Sequence, residues 1–448
     1  MERVTIIGAG IAGCEAAWQL AVRGIPVRLH EMRPEVRSLA HHTSLYAELV
    51  CSNSFKSDEE QTAAGLLKRE LEDLGSLVMK TARRSSVPAG AALAVDREHF
   101  SRTITEAVTG HPGIEVVTGE ATSIPEGDVI VAAGPLASDA IAAALSEIVG
   151  AERLAFFDAA APIVDASSID GTIAFPASRW SKGEETDYLN CPLDRPEYEA
   201  FVEALISARR VTVRDFEKRE LFQACQPIEE IARSGVDAIR YGALKPVGII
   251  DPRTGLRPWA VVQLRAETRD RTAYNLVGFQ TNLAFPEQER VIRMIPGLGD
   301  ARILRYGVMH RNTFVDAPKL LTPSLAVRQM PRLRLAGQIT GTEGYLEAAA
   351  SGLLAALDVF CDRMGHPAPV LPSDTALGSL IAYATSPDTT GYQPMHVNFG
   401  LVPPLDPPVR GKRERYAAYS ARARTSMRTF LDERPDLVAV PAIAGQHA

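Results

Sequence analysis

Two cysteines stand where a thiol could be made reactive. Cys51 lies in Ala47-Glu48-Leu49-Val50-Cys51-Ser52-Asn53-Ser54-Phe55-Lys56-Ser57, which reads as a strand-like run breaking into a polar loop. Loops that follow strands display reactive groups, and Lys56 is near enough in sequence to favour a thiolate. Cys225 lies in Leu221-Phe222-Gln223-Ala224-Cys225-Gln226-Pro227, where Pro227 can start a helix and leave the cysteine at its N-terminal edge. A helix N-terminus lowers a thiol pKa, which is how a thiolate nucleophile is made. A buried, inert cysteine is the competing reading of both. Cys14 and Cys361 fall on apolar faces of expected helices and are assigned to packing, while Cys191, before Pro192 in an expected loop, is a third candidate. The five cysteines form no CxxC pair and have no His cluster of metal-ligand spacing, so neither a metal site nor a disulfide framework is expected.

A second chemistry is written at the start of the chain. Gly8-Ala9-Gly10-Ile11-Ala12-Gly13 follows the apolar run Val4-Thr5-Ile6-Ile7 and opens a helix-forming segment, and a second strand, Pro26 to His30, ends in Glu31. In a dinucleotide site Gly8 permits the tight turn, Gly10 lets the backbone approach a pyrophosphate, and Gly13 lets helix and strand pack closely. The helix N-terminus then faces the anion, and Glu31 can accept from ribose hydroxyls. FAD is favoured over NAD because the nucleotide fold returns late, at Gly337-Gln338-Ile339-Thr340-Gly341, with a helix starting near Tyr345. That N-terminus could face an isoalloxazine ring, where negative charge develops on reduction. The candidate cofactor-binding residues are therefore Gly8, Ala9, Gly10, Ile11, Ala12, Gly13, Glu31, Gly134, Gly337, Gln338, Gly341 and Tyr345.

These groups need a scaffold. The opening strand, helix and second strand make one βαβ unit, helical periodicity runs from Ala63 to Leu74, and β runs at 114–117 and 128–134 extend the sheet. From about 151 to the early 320s the text changes, rich in Arg, Asp and Pro and without a fresh fingerprint. Leu333 to Gly337 then reads as a strand leading to an Ala-rich helix. The expected class is α/β: a discontinuous Rossmann-like FAD-binding domain, 1–150 and 325–448, with an inserted α+β substrate domain at 151–324. The segment from Arg410 to Glu433 reads as a basic helix, either a solvated face or a phosphate contact.

A length of 448 residues predicts two or three domains, and 46% hydrophobic residues allow sizeable cores. A net charge of -7 means that any RNA surface must be a local basic patch. No secretory leader pattern and no apolar run of roughly 20 residues is present, so the cytoplasm is the expected location, with no membrane involvement and no obligate protein partner.

Further blocks are Val87-Pro88-Ala89-Gly90, Ala94-Val95-Asp96-Arg97, Cys225-Gln226-Pro227-Ile228-Glu229, Lys245-Pro246-Val247-Gly248 and Asp251-Pro252-Arg253-Thr254-Gly255. Tyr306 to Thr313 and Gln393-Pro394-Met395-His396-Val397-Asn398-Phe399-Gly400 continue the series. With the opening turn, the Cys51 run and the late glycine run, the chain resembles the folate- and FAD-dependent tRNA (uracil-5-)-methyltransferases from Met1 to the C-terminal helix. The resemblance implies that 5,10-methylenetetrahydrofolate donates a carbon by way of reduced FAD to the T-loop uridine of tRNA, with NAD(P)H restoring the reduced flavin. It implies that Cys225 adds to uracil C6 and that Cys51 removes the C5 proton or shields the carbon in transit. Arg240, Lys245, Arg253, His310 and Arg311 lie in matched blocks and could hold RNA or serve as internal ion-pair partners. The family more often has Phe-Glu-Gly before the second cysteine, where this chain has Phe222-Gln223-Ala224, which leaves the activation of Cys225 by its neighbours open. A ribosomal RNA methyltransferase of the same chemistry, an NAD(P)H-dependent flavin oxidoreductase that never handles RNA, and a non-catalytic RNA-binding flavoprotein are the rival readings.

Overall fold

The computed structural model describes residues 1–37, 41–149, 154–179, 187–211, 226–389 and 392–438. Apolar β runs without polar alternation need cover on both faces, and Val4, Ile6, Ile7 and Val129 to Val131 are buried in a mostly parallel first sheet. Its strand order is Ala326–Val327, Met330–Leu335, Val129–Val131, Val4–Ile7, Val27–Glu31, Ile114–Thr118. Every pairing is parallel except Ala326–Val327 against Met330–Leu335. The late return is therefore real, for Leu333 sits beside Val129. The run read as 128–134 keeps strand form only over Val129–Val131, because Gly134 adopts φ +70° and the chain turns out at the strand's carboxyl end.

The helix Ile11–Ala21 crosses the long helix Tyr345–Met364 at close range. A Cβ on Gly352 would collide with the Ala12 carbonyl oxygen, so the missing side chain is what lets the two backbones approach. Buried carboxylates fasten neighbouring helices by their starts. Glu15 accepts from the backbone of Leu77 (3.2 Å) and Val78 (2.8 Å) at the head of Leu77–Arg84, and Glu70 accepts from Ala376 and Leu377 at the head of Ala376–Thr385. Donors that no helix can satisfy within itself are so paired. The helix expected from Ala63 to Leu74 spans Ala63–Asp73, with Thr62 as its cap.

The second sheet is antiparallel throughout, in the order Phe175–Pro176, Tyr188–Leu193, Ala260–Ala266, Ala273–Leu276, Ile163–Asp165, Ile303–Arg305. Ala260–Ala266 is buried at every position. The helix Arg195–Ser207, started by a capping box between Asp194 and Glu197, supplies Tyr198, Phe201 and Leu205 to a core separate from the first. A paired ribbon, Leu154–Ala159 against Met309–Phe314, lies in sequence on either side of the second sheet's strands. A third, three-stranded sheet of Ser54–Ser57, Ala92–Val95 and Ser86–Val87 carries the Cys51 segment. Among the described residues no helix is long and apolar enough to cross a membrane.

Candidate cofactor cleft and thiol loop

At the carboxyl ends of the parallel strands, the Gly8–Gly13 turn opens into a cleft whose walls include Gly8, Gly10, Ile11, Ala12, Glu31 and Gly134, together with Gly337, Gln338 and Tyr345. The glycines divide as their positions require. A Cβ on Gly8 would meet the Ala132 carbonyl oxygen at 2.6 Å, and one on Gly13 would run into the Gly8 carbonyl oxygen. A Cβ on Gly10 would meet nothing within 4 Å, so that backbone faces open space. Gly10 caps the helix Ile11–Ala21 without a side-chain hydrogen bond, and the first turn holds no acidic residue. The turn's orphan N–H groups and the positive end of the helix dipole therefore meet no carboxylate of that turn, which suits a phosphate.

Ala9, Gly13 and Gly341 support the cleft without lining it. Ala9 is buried and donates to Glu31 Oε2 at 2.8 Å, and Gly341 leaves room for Tyr392, whose hydroxyl donates to the Thr340 carbonyl. Glu31 has more partners than its position in sequence suggests. Its oxygens accept from Ala9, from the Arg33 backbone (3.0 Å) and from Arg33 Nε and Nη2 (2.8 and 3.1 Å), so a ribose hydroxyl would share an already occupied carboxylate. Burial alone would raise its pKa. The Arg33 guanidinium outweighs burial and holds the carboxyl below the usual range. His41, also on the cleft wall, is pushed down to about 4 by burial and then by the Arg33 charge, so it is neutral at physiological pH.

Cys51 does not line this cleft itself but follows Val50, which does. The segment departs from the expected strand-then-loop order: residues 47–50 are irregular, with Ala47 at φ +49°, and the strand Ser54–Ser57 comes after the cysteine. The backbone N–H groups of Cys51 and Ser52 both donate to the Tyr345 hydroxyl, at 2.9 and 3.2 Å. Burial above all pushes the Tyr345 phenol well above its ordinary value, so it stays a neutral hydroxyl. Lys56 does not act as an uncommitted cation for the thiol. Its ammonium is bonded to Glu347 Oε1 at 2.7 Å, in the first turn of Tyr345–Met364.

Arginines hold the other side of the segment. Arg97 donates to the carbonyls of Leu49 and Cys51 and pairs with Glu267, Arg305 donates to the Val50 carbonyl, and Arg265 donates to Asn53 Oδ1 (2.8 Å) and Ser52 Oγ (3.2 Å). Arg265, Glu267 and Arg305 come from the second sheet or its edge. Their sequence neighbours do not signal them because their partners lie far along the chain; Arg97 alone belongs to a family-like block, Ala94-Val95-Asp96-Arg97.

Cys225 lies outside the described residues, although Pro227 does head a helix, Ile228–Arg233. Cys14 and Cys361 are buried as expected. Cys191 is not in a loop: it is a fully buried member of Tyr188–Leu193, and burial raises its thiol to about 12. Of the basic candidates, Arg240 stacks 3.8 Å from the Trp259 ring centre and donates to its carbonyl, Arg253 pairs with Asp251, Lys245 is exposed, and the side chains of His310 and Arg311 lie outside the described set. The basic helix forms as Lys412–Glu433, but Arg424 pairs with Asp73 and Arg422 caps the carbonyls of Pro403 and Pro404. Those two arginines serve packing.

A family model described as glucose inhibited division protein A matches residues 3–367. A protein of Pelobacter propionicus named methylenetetrahydrofolate–tRNA-(uracil-5-)-methyltransferase TrmFO is 54% identical over 431 residues, 96% of this chain and 94% of that one. One of the same name from Thermosynechococcus vestitus is 53% identical over 433 residues, again 96% and 94%. Among solved structures, that of Aquifex aeolicus GidA in its form II crystal superposes with a TM-score of 0.69 over 97% of this chain and 75% of that one. At 16% identity this last likeness concerns the fold alone.

Proposed function

The chain belongs to the methylenetetrahydrofolate–tRNA-(uracil-5-)-methyltransferase family, and from that membership we propose that it methylates C5 of the T-loop uridine of tRNA with 5,10-methylenetetrahydrofolate as carbon donor. The observation that carries this reading is the meeting of two chemistries at one cleft: the Cys51 segment is bonded through Tyr345 to the wall that Gly8, Gly10 and Gly337 also form. FAD fits there, since Gly10 faces open space beside an uncapped helix start. Bound FAD would supply the carbon carrier and the electrons for the transfer, with NAD(P)H as the outside reductant.

The protein's part is to bind, orient and move protons. The first turn of Ile11–Ala21 would hold the pyrophosphate, with Ala9, Gly13 and Glu31 shaping the turn and Gly134, Gly337, Gln338, Gly341 and Tyr345 completing the site. Cys225 adds to uracil C6, because an unmodified uracil is a feeble nucleophile at C5 until a thiolate supplies electrons at C6. Cys51 removes the C5 proton or shields the carbon in transit. The target base must leave its stack to reach such groups. In this reading residues 1–150 and 325–448 form the FAD-binding domain and 151–324 the substrate domain, and the enzyme works in the cytoplasm without an obligate protein partner.

The test is transfer of label from methylenetetrahydrofolate, with NADPH, to a tRNA transcript. Labelled 5-methyluridine is the expected product, and Cys51→Ala and Cys225→Ser are expected to abolish it while the flavin stays bound. Label in ribosomal RNA alone, or rapid folate-independent nicotinamide turnover with no label transferred, would overturn the reading.

A further inference from the structure

Each residue from Leu49 to Asn53 is gripped by an arginine from outside its own loop. Arg97 holds the carbonyls of Leu49 and Cys51, Arg305 that of Val50, and Arg265 the side chains of Ser52 and Asn53. Arg97 is the member that bridges. It is the first residue of the helix Arg97–Thr109, whose Phe100, Ile104 and Val108 pack in the same core as Ile6 and Ile11, so its own backbone belongs with the first sheet. Its Nε and Nη2 meet the two oxygens of Glu267, which lies immediately after Ala260–Ala266 in the second sheet, while Nη1 and Nη2 reach the loop carbonyls. Glu267 is itself buried, and its N–H is fixed to the Ala273 carbonyl at 2.9 Å. One planar fork thus spans the thiol's own peptide and the second sheet, an arrangement that a lysine point charge cannot reproduce in full.

On the reading that Cys51 works beside the flavin, we propose that Arg97 is the positioning residue for that thiol, and that through Glu267 it ties the thiol's aim to the placement of the second sheet. Fixing the carbonyl of Cys51 on one side and its N–H on Tyr345 on the other leaves the residue's backbone little freedom. The direction of Cα–Cβ, and hence the reach of Sγ, follows from that backbone. Misplacing a reacting group by about 1 Å can cost about 100-fold in rate without weakening substrate binding.

The experiment compares full-length, FAD-loaded wild type with Arg97→Gln, Arg97→Lys and the double variant Arg97→Gln/Glu267→Gln, which leaves no carboxylate stranded. Label transfer to tRNA is measured as kcat and KM, alongside flavin content and the rate at which iodoacetamide alkylates Cys51, located by peptide mass. For Arg97→Gln and the double variant, kcat is expected to fall by about 100-fold with both KM values within about twofold and flavin retained, and Arg97→Lys to recover part of the loss. A kcat within about threefold of wild type in the double variant would overturn the proposal, as would a fall that tracks loss of flavin or a rise in KM alone. If wild type itself transfers no label, the functional reading fails separately and alkylation still decides. A Cys51 alkylation rate changed by about tenfold or more in the double variant supports positioning, and an unchanged rate refutes it.

Discussion

The glycine cleft and the Cys51 loop adjoin at Tyr345, yet they are built in opposite ways. The turn at the floor of the cleft is backbone supplied by residues 8 to 13, with Glu31 and Arg33 close by in sequence, while Gly134, Gly337 and Gln338 close the wall from farther along the chain. The loop is made of side chains that arrive from Arg97, Arg265, Arg305 and Tyr345. Local construction tolerates change far away but not a single added methyl. Long-range construction should yield by degrees, one partner at a time.

The sharpest contrast is inside the cleft itself. Gly13→Ala drives a Cβ into the Gly8 carbonyl oxygen, with no flexible end to give way, and should cost about 3 kcal/mol or more and abolish flavin binding. Gly10→Ala meets no atom within 4 Å, so the flavin-free protein should melt where wild type does while flavin affinity drops. Equal melting losses for the two would break the distinction. At the loop, Lys56→Ala leaves Glu347 buried with its ion-pair partner gone and should cost about 2 kcal/mol in chemical denaturation. Glu347→Gln keeps an oxygen for the Val397 N–H and should cost less.

The smallest expected effect separates the two regions by pH. Glu31 is held below its ordinary 4.5, so the stability it contributes is present above that value and is lost as pH falls beneath it. Tyr345 is held above its ordinary 10.0, so its contribution is complete below 10 and declines only as pH climbs further. Stability profiles of Glu31→Gln and Tyr345→Phe should therefore depart in slope from wild type at opposite ends of the scale. Departure at the same end would mean that the two regions titrate as one.

The same contrast explains what could be read in advance. The parallel sheet, its late return, the glycine turn and the helices at Ala63–Asp73 and Lys412–Glu433 were legible because each is signalled by neighbours in sequence. The loop was misjudged because its geometry is imposed from outside: Val50-Cys51-Ser52 has β-forming residues, but the arginines and Tyr345 take the carbonyls and N–H groups that a strand would use. Pro192 beside Cys191 makes the sequence read as a loop there. That proline instead occupies a place in a strand paired with Val261. The basic helix reads from sequence as a solvated face or a phosphate contact, because the partners of Arg424 and Arg422, Asp73 and the prolines at 403 and 404, are not its neighbours in sequence.

The pairing of Leu333 with Val129 also has a meaning for how the molecule is made. A ribosome adding about 5 to 20 residues per second needs about 10 to 40 seconds to travel from one partner to the other. Through that interval Val129–Val131 has a neighbour on only one side, and its free edge is the kind of surface that recruits unwanted strands. Nascent chains halted between these two points should be the aggregation-prone species, and holding chaperones should engage the protein there.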